Sequence, residues 1–158
     1  MTWHTRLLAI FVSLAILMAC TSTSTPENLA KDACTLTEAV WLKPPADPAV
    51  QPDPGYGYYF VNEDESIIAS AWWTESNEYS LHAGDRGNKI GWFRPAGSEL
   101  LITGQRLDGD APPLVGEASC CYPTRFQASG VYFPAEGCWE VRAAAEDRKL
   151  SFVVWVEP

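Results

Sequence analysis

Cysteine and histidine are the residue types of this chain with the most specific chemistry. The chain has five Cys and two His in 158 residues, and only one His, His82, lies beyond the apolar N-terminal segment. A metal site would therefore lack convergent ligands, and a nucleophile would have a single imidazole as its base. The sequence contains no spacing typical of hydrolases or metalloproteases. We predict no catalytic residue, no metal site and no cofactor.

Aromatic side chains give a second chemical candidate, a surface that stacks against a ligand. Trp72 and Trp73 are adjacent in a segment with the composition of a strand, and Tyr56 and Tyr58 precede them. Adjacent residues of a strand point to opposite faces of the sheet, so one Trp ring is expected outside the core. We name Trp72, Trp73 and Tyr58 as candidate stacking residues. The alternative is that the proline-rich segment 44–55 packs over the outer ring.

Acidic residues outnumber basic ones, 20 to 11, which gives a formal net charge of -9. Such a chain has no basic face for phosphate backbones, so we predict no nucleic-acid partner. Two acidic segments, 62–65 and 108–110, contain ligands that Ca²⁺ prefers, but neither has the spacing of a calcium loop. We interpret both segments as surface turns.

The N-terminus has the layout of a secretory signal peptide. Residues 7–18 are apolar apart from Ser13, and Ala19 and Cys20 follow at once. The segment 17–20, Leu-Met-Ala-Cys, resembles the lipobox of bacterial lipoproteins, in which the Cys is acylated after cleavage before it. We therefore predict a cleaved signal peptide over 1–19 and lipidation of Cys20. An ordinary secreted protein that is cleaved elsewhere is the alternative.

Residues 20–33 are interpreted as the lipidated Cys and a flexible tether, rich in Thr, Ser and Pro at its start. Thirteen such residues span at most about 45 Å when extended. The partner on this side is a membrane, reached through the lipid anchor. Thr21 is not the Asp that retains lipoproteins at the inner membrane, so the outer membrane is favoured in a host with two membranes, and the cell surface otherwise.

The rest of the chain, 34–158, is predicted to be a single all-β domain. Segments rich in Val, Ile, Trp, Tyr and Phe recur every 8 to 12 residues between Gly, Asp, Asn and Pro. This pattern favours a sandwich or barrel. The candidate strands are 58–62, 67–73, 79–83, 89–94, 100–107, 125–133, 138–144 and 150–156. The last two segments are predicted to form a hairpin. Val153 and Trp155 lie on the outer face of the last strand, which predicts that this strand is central or covered.

The part of the chain from Trp92 to Val156 resembles a family of uncharacterised bacterial secreted proteins and lipoproteins. The resembling pieces are Trp-Phe-Arg at 92–94, Leu-Ile-Thr-Gly-Gln-Arg-Leu-Asp at 101–108, Ala-Pro-Pro-Leu at 111–114, Phe-Gln-Ala-Ser-Gly at 126–130, Phe-Pro at 133–134, Gly-Cys-Trp-Glu-Val at 137–141 and Leu-Ser-Phe-Val at 150–153. The resemblance implies an immunoglobulin-like β-sandwich of about seven to nine antiparallel strands and no known reaction. Where relatives tend to have Gly-Tyr-Gly, this chain has Cys120-Cys121-Tyr122-Pro123.

The four cysteines beyond Cys20 allow three disulfide pairings. In the relatives a Cys that matches Cys34 accompanies the one that matches Cys138, and we favour this pair. In the chain-entropy model, closing a loop of about 100 residues stabilises a fold by up to about 4.7 kcal/mol. Cys120 and Cys121 would then form a vicinal disulfide or remain free thiols. In the alternative, each of these two pairs with Cys34 or Cys138.

These patterns predict an exported, lipid-anchored and non-enzymatic module that binds an envelope protein. The alternative is a carbohydrate-binding module that uses Trp72 or Trp73 with Tyr58, and a hydrolase is a distant third. A flat row of exposed aromatic rings would favour a glycan, an uncovered apolar sheet edge would favour a protein, and a deep cleft with two facing acids would favour the enzyme.

Overall fold

Alternation of apolar and polar residues produces two facing β-sheets. The computed structural model describes residues 31–48, 54–76 and 78–158, so the predicted signal peptide, Cys20 and most of the tether lie outside the described residues. The described residues form ten strands, a 3₁₀ helix, Trp72–Thr74, and a helical turn at 31–33. The strands are β1 (Val40–Leu42), β2 (Gly57–Val61), β3 (Ile68–Ser70), β4 (Leu81–His82), β5 (Asn88–Phe93), β6 (Leu101–Arg106), β7 (Val115–Glu117), β8 (Phe126–Tyr132), β9 (Gly137–Ala145) and β10 (Arg148–Glu157).

The sheets have six and four strands, in the orders β1-β2-β3-β5-β8-β7 and β4-β10-β9-β6. This arrangement confirms the predicted β-sandwich, with ten strands rather than seven to nine. The expectation that every strand is antiparallel was wrong in one place, because β4 pairs parallel to β10. The hairpin of β9 and β10 is confirmed over nine residue pairs, from Arg148 opposite Ala145 to Val156 opposite Gly137. Strand β10 is central, as Val153 and Trp155 predicted.

The core lies between the sheets and is rich in aromatic rings. Phe60 of β2 stacks on Phe152 of β10, with ring centroids 4.2 Å apart, and this contact joins the two layers. Phe133 meets Trp139 edge-on at 5.5 Å. Burial of each such side chain contributes about 1.5–3 kcal/mol. The indole N–H groups of Trp92 and Trp139 have acceptors, because Trp92 donates to Ser129 Oγ at 2.8 Å and Trp139 donates to the Ala135 carbonyl at 2.9 Å.

A buried arginine holds the loop between β7 and β8. Arg94 follows β5, and its side chain is 0% exposed. Its guanidinium donates to Gln127 Oε1 and to the carbonyl oxygens of Pro95, Tyr122 and Thr124, at 2.7–3.3 Å. These acceptors are all neutral, and loss of water around the guanidinium lowers the pKa of Arg94. The charge is therefore stabilised by oriented amide dipoles, which bind the loop to the end of β5.

One lateral side of the sandwich is closed by the near contact of β6 and β7. The Leu114 N–H donates to the Gly104 carbonyl at 3.4 Å, which links the edges of the two sheets. A Cβ atom at Gly104 would overlap the Glu140 carbonyl oxygen and the Leu114 side chain. A Cβ atom at Gly116 would lie 2.5 Å from Ile102 Cβ. Both glycines are thus required by the approach of the strands.

The opposite side is open, and the N-terminal segment crosses it. Val153 of β10 accepts a hydrogen bond from the Thr37 N–H at 3.0 Å and donates one to Thr37 Oγ1 at 2.8 Å. The chain then passes to the six-stranded sheet as β1, which pairs with β2. Lys31 binds Glu157 Oε1 at 2.5 Å and lies 6.0 Å from the centroid of the Trp155 ring.

Among the described residues, no helix is long and apolar enough to span a bilayer.

Candidate functional site

The two adjacent tryptophans, Trp72 and Trp73, do not lie in a strand. The prediction of a strand over 67–73 was wrong after Ser70, because β3 ends there and the chain turns into a 3₁₀ helix. Thr74 fixes this turn, since its N–H and its hydroxyl both donate to the Ala71 carbonyl, at 2.9 and 2.7 Å. The two rings therefore do not occupy opposite faces of a sheet.

Both of these indoles are partly buried against the core. Trp72 donates its Nε1–H to the Lys89 carbonyl at 2.9 Å, and Trp73 packs 6.0 Å from Phe60. The two rings meet edge-on at 5.6 Å, with planes 89° apart, so they present no common flat face. The third candidate, Tyr58, adjoins this turn through its carbonyl, which accepts a hydrogen bond from the Ala71 N–H at 2.8 Å, but its ring contacts Trp41.

Tyr58 belongs to a cluster of three rings at the β1–β2 edge, which we call the aromatic shelf: Trp41, Tyr56 and Tyr58. Trp41 is 59% exposed and Tyr56 is 67% exposed. Their ring centroids lie 6.4 Å apart, and their planes are 16° from parallel. Tyr58 meets Trp41 edge-on at 5.0 Å and is itself packed against the core. The shelf is therefore supported from below and open to solvent above.

Strand register explains why these rings meet. Trp41 lies directly opposite Tyr58 in the β1–β2 ladder, so both side chains project to the same face. Tyr56 immediately precedes β2 and lies diagonally across from Trp41. Strand β2 packs on the four-stranded sheet through Phe60, whereas β1 lies one strand further out. The edge strand thus overhangs the core, which leaves Trp41 and also Val40 exposed.

The opposite face of β2 carries Tyr59, which packs edge-on against Phe93 at 6.2 Å. Burial, and then the charge of Glu75, raise the pKa of the Tyr59 phenol. This hydroxyl remains neutral throughout the physiological range.

The proline-rich segment reaches the far end of β5 and β8, where Asp47 Oδ2 accepts a hydrogen bond from the Arg125 N–H at 2.8 Å. Asp47 therefore anchors the start of that segment at Arg125. Residues 49–53 lie outside the described residues, so the alternative that the segment covers the outer Trp ring stays a prediction.

His82 is part of a hydrogen-bonded pair that resembles a nucleophile and its base. Ser80 Oγ lies 2.9 Å from Nε2 of His82, and Nδ1 lies 3.0 Å from the main-chain oxygen of Pro158. Donation from Nδ1 to that oxygen would leave Nε2 as the acceptor of the Ser80 proton. A groove of about 590 Å³ adjoins the pair.

A hydrolase also needs N–H donors aimed at the developing oxyanion. Three neighbouring main-chain N–H groups are already used: His82 donates to Asn88 Oδ1, Ala83 to the Glu157 carbonyl and Gly84 to the Phe133 carbonyl, each at 2.9 Å. These bonds attach β4 to β5 and to β10. The arrangement around His82 is therefore explained by the structural attachment of a two-residue edge strand.

Acidic side chains in the two acidic turns make hydrogen bonds and ion pairs within the fold. Asp64 Oδ1 accepts hydrogen bonds from both the hydroxyl and the N–H of Ser66, and these bonds lower the pKa of Asp64. Asp108 pairs with Arg106 at 2.7 Å. Within 31–48, 54–76 and 78–158, no three His, Cys, Asp or Glu side chains converge as a metal site would require.

The cysteines form two pairs among the described residues. Cys34 and Cys138 lie at disulfide-bonding distance, with Cα atoms 5.7 Å apart, and they are the pair that the sequence favoured. Cys120 and Cys121 form the second pair, and both are exposed. Cys20, the predicted lipidation site, lies outside the described residues.

Comparison with protein-family models, with curated proteins and with solved structures finds no match to this chain. The candidate site therefore depends on geometry alone. Sequence reasoning included Tyr56 and Tyr58 but missed Trp41. The available signal was the apolar triplet 40–42 immediately before the proline-rich segment.

Proposed function

We propose that this protein is a lipid-anchored, non-enzymatic binding module of the cell envelope, and that it binds its partner on the aromatic shelf. The single observation that carries the proposal is the joint exposure of Trp41, on the edge strand β1, and of Tyr56, immediately before β2. Cys20 at the end of the apolar segment supports the anchor. The shelf has the chemistry of a recognition surface, since its rings combine large apolar faces with polar groups at their rims.

A protein partner is the favoured ligand. Trp and Tyr are the residue types most enriched among the side chains that dominate binding energy at protein interfaces. Each offers a large apolar area together with a polar group at its rim. Strand β1 is also an edge strand with exposed Val40 and Trp41, so an extended segment of a partner can pair with it while its side chains contact the shelf. The shelf and the edge together favour β-strand addition.

A glycan is the second candidate, and one specific observation favours it. The rings of Trp41 and Tyr56 lie within 16° of parallel and are both more than half exposed. Two nearly parallel exposed rings suit the apolar C–H face of a sugar ring as well as a peptide. The two ligand classes differ in their sensitivity to protease, which gives a direct test.

The test uses the mature chain with Cys20→Ser, added to isolated host envelopes before and after exhaustive protease digestion. Retained protein is quantified for this chain and for its Trp41→Ser and Tyr56→Ser variants. Leu101→Ala is the matched control, because Leu101 is 60% exposed on the far edge of the other sheet. We expect protease to abolish retention and each shelf variant to weaken it at least about tenfold. The control should bind as the parent does.

Retention that survives protease but depends on the shelf would transfer the assignment to a glycan. Retention that is the same in the parent, the shelf variants and the control would contradict the shelf as the binding site. The anchor is tested separately by mass spectrometry of the native protein. We expect an acylated Cys20 at the mature N-terminus, and an unmodified Cys20 preceded by residues 1–19 would contradict the anchor.

A further inference from the structure

The cysteine pair at 120 and 121 differs from the other pair in what it can stabilise. Cys34 and Cys138 are 104 residues apart, so their bond constrains most of the domain. Cys120 and Cys121 are adjacent and enclose no intervening residue. The stabilisation that a disulfide gives through chain entropy grows with the length of the loop it closes. A bond between neighbours therefore contributes little to folding, and its presence needs another explanation.

The two cysteine pairs also differ in their exposure to solvent. Cys138 is 4% exposed within β9, whereas Cys120 and Cys121 both lie on the surface. Thiol–disulfide exchange requires a thiolate to reach a sulfur atom in line with the bond. An incoming thiol can approach the 120–121 pair without any opening of the fold.

The loop around this pair is held by hydrogen bonds that do not involve sulfur. The Ser119 carbonyl accepts a hydrogen bond from Gln127 Nε2 at 2.5 Å. The Tyr122 carbonyl accepts from Arg94 at 3.3 Å and from the Gly97 N–H at 2.8 Å. The residues on each side of the cysteines are therefore fixed to the sandwich. Cleavage of the sulfur–sulfur bond leaves these contacts in place.

We propose that Cys120 and Cys121 form a thiol–disulfide exchange site that accepts two electrons from an exported thiol reductant while the domain stays folded. A thiolate of the reductant attacks one sulfur, the bond between the two cysteines breaks, and the other cysteine leaves as a thiolate that takes up a proton. A second thiol of the reductant then attacks the mixed disulfide. It releases the bound cysteine as a thiol and leaves the reductant oxidised to its disulfide. Two protein thiols and one reductant disulfide are formed.

The test is differential alkylation of the native, folded chain at increasing concentrations of dithiothreitol, read by mass spectrometry. We expect Cys120 and Cys121 to become alkylated at least about 100-fold faster than Cys34 and Cys138. Reaction of all four cysteines together would contradict the proposal. So would alkylation of Cys120 and Cys121 without any reductant, since this would show that the pair is not oxidised.

Thermal unfolding of two double variants provides the structural control. Cys120→Ser with Cys121→Ser should change the Tm by no more than about 2 °C, because the loop retains its hydrogen bonds. Cys34→Ser with Cys138→Ser should lower the Tm by at least about 10 °C. A large loss in the first variant would show that the vicinal pair is structural, and this result would overturn the proposal.

Discussion

The two lateral sides of the sandwich are built from opposite kinds of residue. On the closed side, Gly104 and Gly116 allow β6 and β7 to come so close that a Cβ atom would overlap the neighbouring strand. On the open side, β1 extends past the core with Trp41 exposed, and Tyr56, immediately before β2, is exposed beside it. The same chain thus uses its smallest residues where the sheets meet and its largest where nothing described covers them. The comparison separates residues that hold the fold from residues that are free to bind.

The largest expected effect is at the closed side. Gly104→Ala places a methyl group against the Glu140 carbonyl oxygen, which is main chain and moves only with β9. We expect a loss of about 2–3 kcal/mol in the free energy of unfolding, measured by urea denaturation. Gly55→Ala near the open side is the control, because a Cβ atom there meets nothing within 4 Å. Equal stability of the two variants would contradict the close approach of the strands.

A smaller effect is expected at Glu140, next to the closed side. Arg142 at 2.5 Å lowers the pKa of this carboxyl, and Ser151 and Gln105 add to the effect. Because the folded pKa is below the unfolded value, the stabilisation is present above about pH 4.5 and is lost as the pH falls through the folded pKa. Glu140→Gln should lower the free energy of unfolding by about 0.5–1 kcal/mol at pH 7.

Urea denaturation at several pH values measures that difference. The gap between the parent and Glu140→Gln should shrink below pH 4.5, while the exposed Glu99→Gln should show no comparable gap. A gap that widens at acid pH would mean that the hydrogen bonds to Glu140 do not favour its charged form.

The smallest effect on stability is expected on the shelf. Trp41→Ser removes the edge-on contact with Tyr58 and the stacking on the exposed Tyr56, both at the surface, so we expect a change below about 1 kcal/mol in the free energy of unfolding. The binding to envelopes should fall in the same variant. A stability loss as large as that of Gly104→Ala would show that Trp41 holds the fold, and the contrast between the two sides would then fail.

The long strands were predicted from the sequence because their alternation of apolar and polar residues continues over enough positions to be recognised. In β9 the burial alternates from Trp139 to Ala145, and in β10 it alternates from Lys149 to Val154. Strands β1 and β7 have only three residues each, which is too short for a period of two to stand out. They were missed for this reason.

The candidate site was predicted only in part, since two of its three rings come from one segment. Tyr56 and Tyr58 are close in the sequence, and their clustering was visible there. Trp41 joins them only through the pairing of β1 with β2. A connection of fourteen residues separates these strands, and the sequence does not show which of their residues lie opposite each other. Trp72 and Trp73 were misassigned because Ala71 and Thr74 favour a turn that strand propensity does not report.

The Cys34–Cys138 disulfide also affects how a force applied to the chain is transmitted through the fold. A force that pulls on the chain before Cys34 passes through this bond into Cys138, which lies in the nine-residue strand β9. The three-residue strand β1 begins six positions after Cys34, so the disulfide joins the chain to the fold before β1 does. Tension applied to the chain before Cys34 is therefore transmitted to an interior strand of the four-stranded sheet as well as to the edge that presents Trp41.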